Sequence, residues 1–216
     1  MLEACIIPSG TAYGVALNDA ELVNNWAAAF SAAPYKAPPR SPVLYVKPRS
    51  CFSVGGAAIP LPADVSRVQV AATVAILFAG DLCRAGPEAV RASIGAACLA
   101  LDVSEPCDSY YRPPVRQQCR DGFLPMGRFA GLPESFAEIV TEIDGVEVHR
   151  WSLERLLRPL EALASEVSGF MTLGAGDLLL LGLAGDAPTA TAGQSIKVSS
   201  RGLPALQTRV VPESAS

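Results

Sequence analysis

The chain has 216 residues, half of them apolar and 18% charged, with a formal charge of −4. That length supports one sizeable core and one domain over 1–216. The negative balance and the lack of any basic run exclude a phosphate-neutralising nucleic-acid binder, and no apolar stretch approaches the ~18–20 residues that cross a bilayer. The start Met1-Leu-Glu-Ala-Cys5 lacks the basic opening of a secretory signal, so a cytoplasmic protein is expected. The apolar composition leaves surface for a partner, and an oligomer is expected. Six cysteines, at 5, 51, 83, 98, 107 and 119, form no Cys-x-x-Cys pair. Free thiols follow, with Cys83 and Cys98 as small core residues.

Residues 12–18 read as a short strand and turn. Asp19 caps a predicted helix over 19–30, whose buried face is Leu22, Trp26 and Phe30. Pro34, Pro38, Pro39 and Pro42 forbid regular structure across 33–42, so residues 1–42 form a strand, a helix and an extended arm ahead of a β core over 43–212. Val43–Val46 is a strand ended by Lys47-Pro48. The glycines and prolines of 50–62 imply turns between short strands. Val68–Phe78, β-branched and apolar, predicts a buried central strand, and Pro87–Ser93 a short helix with proline in its first turn. Ile94–Val103 runs apolar up to Asp102 and carries that carboxylate to a strand end.

Asp102–Arg128 mixes charges, aromatics and a Pro-Pro break without a helical or strand period, as a site-forming loop does. Beyond it, Phe136–Ile143, Asp144-Gly145 and Val146–Arg150 predict a β-hairpin. Ser152–Phe170 predicts the longest helix, its apolar stripe running from Leu153 through Leu156, Leu157, Leu160 and Leu163 to Val167, with Pro159 bending or splitting it. Leu178–Leu183 reads as a strand buried on both sides, Gly182–Gly185 as a loop admitting close backbone approach, and 195–198 with 208–211 as closing strands. The class expected is β-rich α+β with peripheral helices.

Asp102-Val-Ser, Tyr111-Arg-Pro and Cys119-Arg-Asp-Gly-Phe-x-Pro-x-Gly127 resemble the fumarylacetoacetate hydrolase family. So do Gly14–Asn18, Ala33–Pro39, Lys47-Pro-Arg49 and Gly176–Gly182. The resemblance covers nearly the whole chain and lies nearest the branch that decarboxylates and isomerises intermediates of 4-hydroxyphenylacetate breakdown. It implies a mixed β-sandwich roll. It also implies a di- or tricarboxylate substrate such as 5-oxopent-3-ene-1,2,5-tricarboxylate or 2-hydroxyhepta-2,4-diene-1,7-dioate, and a divalent ion such as Mg2+.

Relatives hold that ion with a Glu-x-Glu and an Asp. Here Asp102 matches the Asp, but Ala71 and Thr73 occupy the Glu-x-Glu positions, so the ligand set is incomplete. By the same resemblance Lys47 lies at the site mouth facing substrate carboxylates. Lys47, Asp102 and Arg120 are the expected catalytic residues, and Arg112, Gln118, Asp121 and Gly182 the expected substrate contacts. A guanidinium can clamp a carboxylate through two parallel hydrogen bonds; the plain alternative for Arg120 and Asp121 is a local salt bridge. His149, the one histidine, reads as structural. With the ion cage dismantled, a second reading is a catalytically weak scaffold that pairs with a metal-bearing paralogue. An acylpyruvate-type hydrolase, which needs a complete cage and a base, is the remaining alternative.

Overall fold

The structure is a computed structural model that describes residues 7–106, 114–136 and 138–213. In chain order the strands are β1 (Ala12–Ala16), β2 (Val43–Lys47), β3 (Phe52–Val54), β4 (Ile59–Leu61), β5 (Val68–Phe78), β6 (Ile94–Ser104), β7 (Leu124–Met126), β8 (Ile139–Ile143), β9 (Val146–Trp151), β10 (Leu178–Leu180), β11 (Thr189–Ala190), β12 (Ser195–Ser200) and β13 (Leu203–Pro212). The helices are α1 (Ala20–Asn25), α2 (Ala27–Phe30), α3 (Pro87–Ser93), α4 (Val115–Gln118) and α5 (Leu160–Ser168). None is long and apolar enough to cross a membrane.

Two sheets result. The larger runs β2-β1-β10-β5-β6-β7-β3, with β11 on β5; the smaller runs β4-β13-β12-β8-β9. β5 and β6 pair antiparallel over almost their whole length, and both are buried on both faces. This is why they read as continuous apolar runs rather than alternating ones. One face of the large sheet carries Val70, Val74, Ile76, Leu99, Leu101 and Val103 against Ile139, Ile196, Val198 and Leu206 of the small sheet. The other face is lined by small or unbranched groups, Ala12, Cys51, Ala75, Cys98 and Ala100 beside Leu124, Met126, Leu178 and Leu180.

That second face is concave. β2 and β6 stand four places apart in strand order, about 19 Å on a flat sheet at ~4.8 Å per strand, beyond the reach of a lysine's four-carbon stem. Yet Lys47 Nζ lies 2.8 Å from Asp102 Oδ1, so the sheet curls until its edges approach. The chain completes the roll: Pro48 and the 3-10 turn Arg49–Cys51 lead directly from β2, at one end of the strand order, to β3, at the other.

Several predicted elements take another form. The helix over 19–30 is two helices broken at Trp26, whose backbone (φ −92°, ψ 0°) leaves the α-helical range. Asp19 caps the first through the amides of Glu21 and Leu22, as its residue type implies. The predicted helix over 152–170 survives only as α5, because Pro159 has no N–H to donate and, itself extended (φ −59°, ψ 163°), stands as the N-cap from which the helix starts. Leu153–Arg155 is a 3-10 turn, and Leu157, placed on the predicted stripe, is nearly half exposed. The site-forming loop contains α4 and β7, and β8 starts at Ile139 rather than Phe136. Cys98 is buried, whereas Cys83 is exposed and not a core residue.

Candidate active site

Strand periodicity sets the site. Tyr45 and Lys47 are two apart on β2, so both point to the concave face, where Gly14 pairs with Tyr45 and Ala12 with Lys47. A Cβ on Gly14 would sit 2.0 Å from Tyr45 Cζ, so the missing side chain of β1 makes the room in which the Tyr45 ring lies. From β6, Asp102 projects onto the same face and pairs directly with Ala71 of β5, while Thr73 pairs with Ala100.

Lys47 is 0% exposed. Its Nζ lies 2.8 Å from Asp102 Oδ1 and donates to the carbonyls of Val103 (2.6 Å), Gln118 (2.7 Å) and Phe123 (3.2 Å). The Phe123 ring lies beneath it, its centroid 6.0 Å away. The second oxygen of Asp102 accepts the Tyr45 hydroxyl. An unbroken line of ammonium, carboxylate and phenol therefore crosses the concave face. Tyr45 also lines a cavity of about 430 Å³ with Ala16, Val43, Val115, Gln118 and Cys119. The expectation that Lys47 faces substrate at an open mouth is thereby corrected: its hydrogens are spent on protein oxygens and its charge is spent on Asp102.

Of the other expected residues that the structure describes, Gln118 joins this site and Arg120 and Asp121 do not. Arg120 follows Gln118 closely in the chain, but its Nε donates to Glu105 (2.5 Å) and its terminal nitrogen reaches Asp64 at 3.4 Å, an acid it shares with Arg116. It is not the partner of Asp121, which is exposed in a turn. Gln118 contributes its carbonyl to Lys47 and its residue surface to the cavity. Gly182, at φ 150°, holds a backbone shape that side chains disfavour, and its carbonyl accepts the Thr73 hydroxyl at 2.7 Å. Arg112 lies outside the described residues.

Burial pushes the Cys51 thiol up to about 12 despite the nearby Lys47 charge, and burial likewise raises the half-buried Cys119. Neither thiol is a thiolate nucleophile near neutral pH. His149, read as structural, meets Asp186 at 3.1 Å on the far sheet. Tyr45 went unremarked in the sequence, although its two-residue spacing from Lys47 placed it on the same face.

This donor set does not fit a divalent ion. Among the described residues the concave face offers one carboxylate, and each of its oxygens already holds a partner. Ala71 stands where a second would be, and Thr73 donates its hydroxyl elsewhere. Among the described residues no group of three His, Cys, Asp or Glu side chains converges. Hard ions take several oxygen ligands at once.

Residues 11–211 match the fumarylacetoacetate (FAA) hydrolase C-terminal family. The chain belongs to this family. The "4-hydroxyphenylacetate degradation bifunctional isomerase/decarboxylase" of Salmonella dublin is 38% identical over 205 residues, which are 94% of this chain and 48% of that protein. The chain thus spans about half the length of the curated relatives it matches, and it aligns with the N-terminal half. The 5-carboxymethyl-2-hydroxymuconate delta-isomerase structure from Mycobacterium smegmatis superposes with a TM-score of 0.82 at 23% identity, covering 97% of this chain and 79% of that one. A fumarylpyruvate hydrolase from Pseudomonas aeruginosa, solved with Mn2+ and pyruvate, gives 0.76 at 18% identity, covering 99% and 100%. The structural likenesses establish the FAA hydrolase fold; at these identities they carry no activity over to this chain.

Proposed function

We propose that this FAA hydrolase family chain is a decarboxylase and isomerase of unsaturated 2-oxo polycarboxylates in aromatic-compound catabolism. Its substrate would be 5-oxopent-3-ene-1,2,5-tricarboxylate, which loses carbon dioxide, or the 2-hydroxyhepta-2,4-diene-1,7-dioate that results, which tautomerises. The observation that carries this reading is the 38% identity over 94% of the chain to an isomerase/decarboxylase.

The residues supply a route for the proton. Loss of a carboxylate or of a proton beside a 2-oxo group leaves an enolate, and tautomerisation returns a proton at another carbon. In the tautomerisation Tyr45, on the cavity wall, gives the proton it now shares with Asp102 to that carbon and takes back the proton the substrate loses from its enol hydroxyl, so the site ends as it began. Lys47 pairs directly with the other oxygen of Asp102 and holds the carboxylate in place. Arg112 and Arg120 would hold the outer carboxylates, with Arg120 exchanging Glu105 and Asp64 for substrate. A positioned general acid contributes about 10²–10⁴-fold, so Tyr45→Phe should lower kcat by at least about 100-fold while KM changes little. The dienol absorbance and released carbon dioxide report the two steps, and unchanged kcat in Tyr45→Phe would remove Tyr45 from the mechanism.

A second reading is favoured by the single carboxylate that the described residues bring to the concave face: a subunit that works only beside a metal-bearing family member. The same assay, run on the chain alone and after adding a Glu-x-Glu paralogue, separates them. Turnover confined to the mixture would favour the paired subunit. We place the protein in the cytoplasm, where its free thiols persist.

A further inference from the structure

We infer that this site carries its cation as part of the chain: the Lys47 ammonium fills the oxygen cage at Asp102 in place of a divalent ion, and the site therefore neither needs nor admits one. This inference concerns the cage itself and does not depend on which reaction the cavity serves.

Four oxygens surround Nζ at 2.6–3.2 Å, one from the Asp102 carboxylate and three from the carbonyls of Val103, Gln118 and Phe123. Those are ammonium distances; Mg2+ holds its oxygens at ~2.0–2.1 Å and Ca2+ at ~2.3–2.6 Å. The carbonyls come from three separate places, the end of β6, the end of α4 and the turn before β7, so the backbone of the rim loop is folded around this one charge. Charge balance agrees. One carboxylate faces one ammonium, both essentially without solvent contact, and among the described residues the face has no second acid, Ala71 being the residue that pairs with Asp102. A divalent ion placed there would meet an ammonium at close range with one carboxylate to offset both. Tyr45 donates to the other carboxylate oxygen, so each oxygen of Asp102 already holds a partner and an incoming ion would have to compete with both.

Two measurements on the full chain test this, neither of which reads turnover. In the first, chelator-treated wild type is dialysed against 1 mM Mn2+, assayed for bound metal and melted. Less than about 0.1 equivalent bound and a Tm within about 1 °C is expected. A tight site, with Kd near ~10 µM, would raise Tm by about 5–10 °C, and one bound equivalent overturns the inference.

In the second, Lys47→Ala removes three carbons and the ammonium, leaving a hole the size of n-propylammonium. Its Tm should fall by about 10 °C. At least half of that should return with millimolar n-propylammonium, and none with n-propanol or with sodium chloride at the same ionic strength. Equal rescue by propanol would make Lys47 a space-filling residue and overturn the inference, as would an unchanged Tm in Lys47→Ala. If Lys47→Ala fails to fold, Lys47→Met, which keeps the stem, replaces it; wild-type Tm in that variant also overturns the inference. If neither folds, the Mn2+ measurement alone decides.

Discussion

Lys47 and Asp102 form a charge pair sealed from water, and their energetics can be separated by a double-mutant cycle. In Asp102→Asn the ammonium keeps its three carbonyls but loses its counter-charge. In Lys47→Met the carboxylate is left with Tyr45 alone. Leaving either charge buried and unpaired costs about 3–5 kcal/mol, so independent sites would sum to about 6–10 kcal/mol, comparable to the whole stability of an ordinary domain. The double variant carries no buried charge and Met fills the lysine stem. Its main defect is the Val103 and Gln118 carbonyls left without the ammonium, about 1–3 kcal/mol each, a loss that Lys47→Met shares and that therefore cancels in the cycle. A coupling energy of at least about 3 kcal/mol follows. Urea unfolding followed by the fluorescence of buried Trp151 is the assay. With a slope of about 2–3 kcal/mol/M, each single variant should lower the midpoint by at least about 1.5 M, and the double by at least about 1 M less than the two singles added together. Losses that add within about 0.5 kcal/mol would show that the two charges do not depend on each other and would refute the pairing.

Gly14→Ala should cost about 1–3 kcal/mol by forcing its Cβ into the Tyr45 ring. Adding Tyr45→Ala should relieve most of the clash, which denaturation of the single and double variants would reveal. Asp19→Ala should cost about 3 kcal/mol, because this buried carboxylate caps α1, accepts the Trp151 indole N–H at 3.1 Å and holds Arg155 at 2.6 Å. A changed Trp151 emission spectrum in the folded variant would mark the lost indole contact. At the exposed hairpin, the backbone N–H and hydroxyl of Ser195 hold Asp144 below the usual carboxylate range. A lowered folded value stabilises above about pH 4 and is lost as pH falls through it. Asp144→Asn should therefore lower Tm near neutrality and converge on the wild type as pH falls below about 4, flattening the acid side of a Tm-against-pH profile; an unaltered acid limb would remove Asp144 from that account.

The β framework was legible because its signals are local. The apolar run of Val68–Phe78, the Asp144-Gly145 hairpin and the proline at the start of α3 each announce one element through residue type. The failures came where a distant contact decides. Trp26 interrupts the first helix while packing on Phe30 and Tyr35 at ring distances of 6.1 Å, and Pro159 divides the stripe that had read as one long helix. At the candidate site, Lys47, Asp102 and the Ala71 and Thr73 that stand at the Glu-x-Glu positions were singled out by the family resemblance. The direction of Lys47 was not legible there, since it depends on the curl that brings β2 over β6. Arg120 shows the same limit: its acids, Glu105 and Asp64, are 15 and 56 residues away in the chain.

The account turns on a site that moves protons with its own side chains. Its most direct test is turnover of the tricarboxylate by the purified chain in excess EDTA, then after Mg2+ is returned. Equal rates in both conditions, abolished by Tyr45→Phe, are predicted; a rate that vanishes with EDTA and comes back with Mg2+ would contradict it.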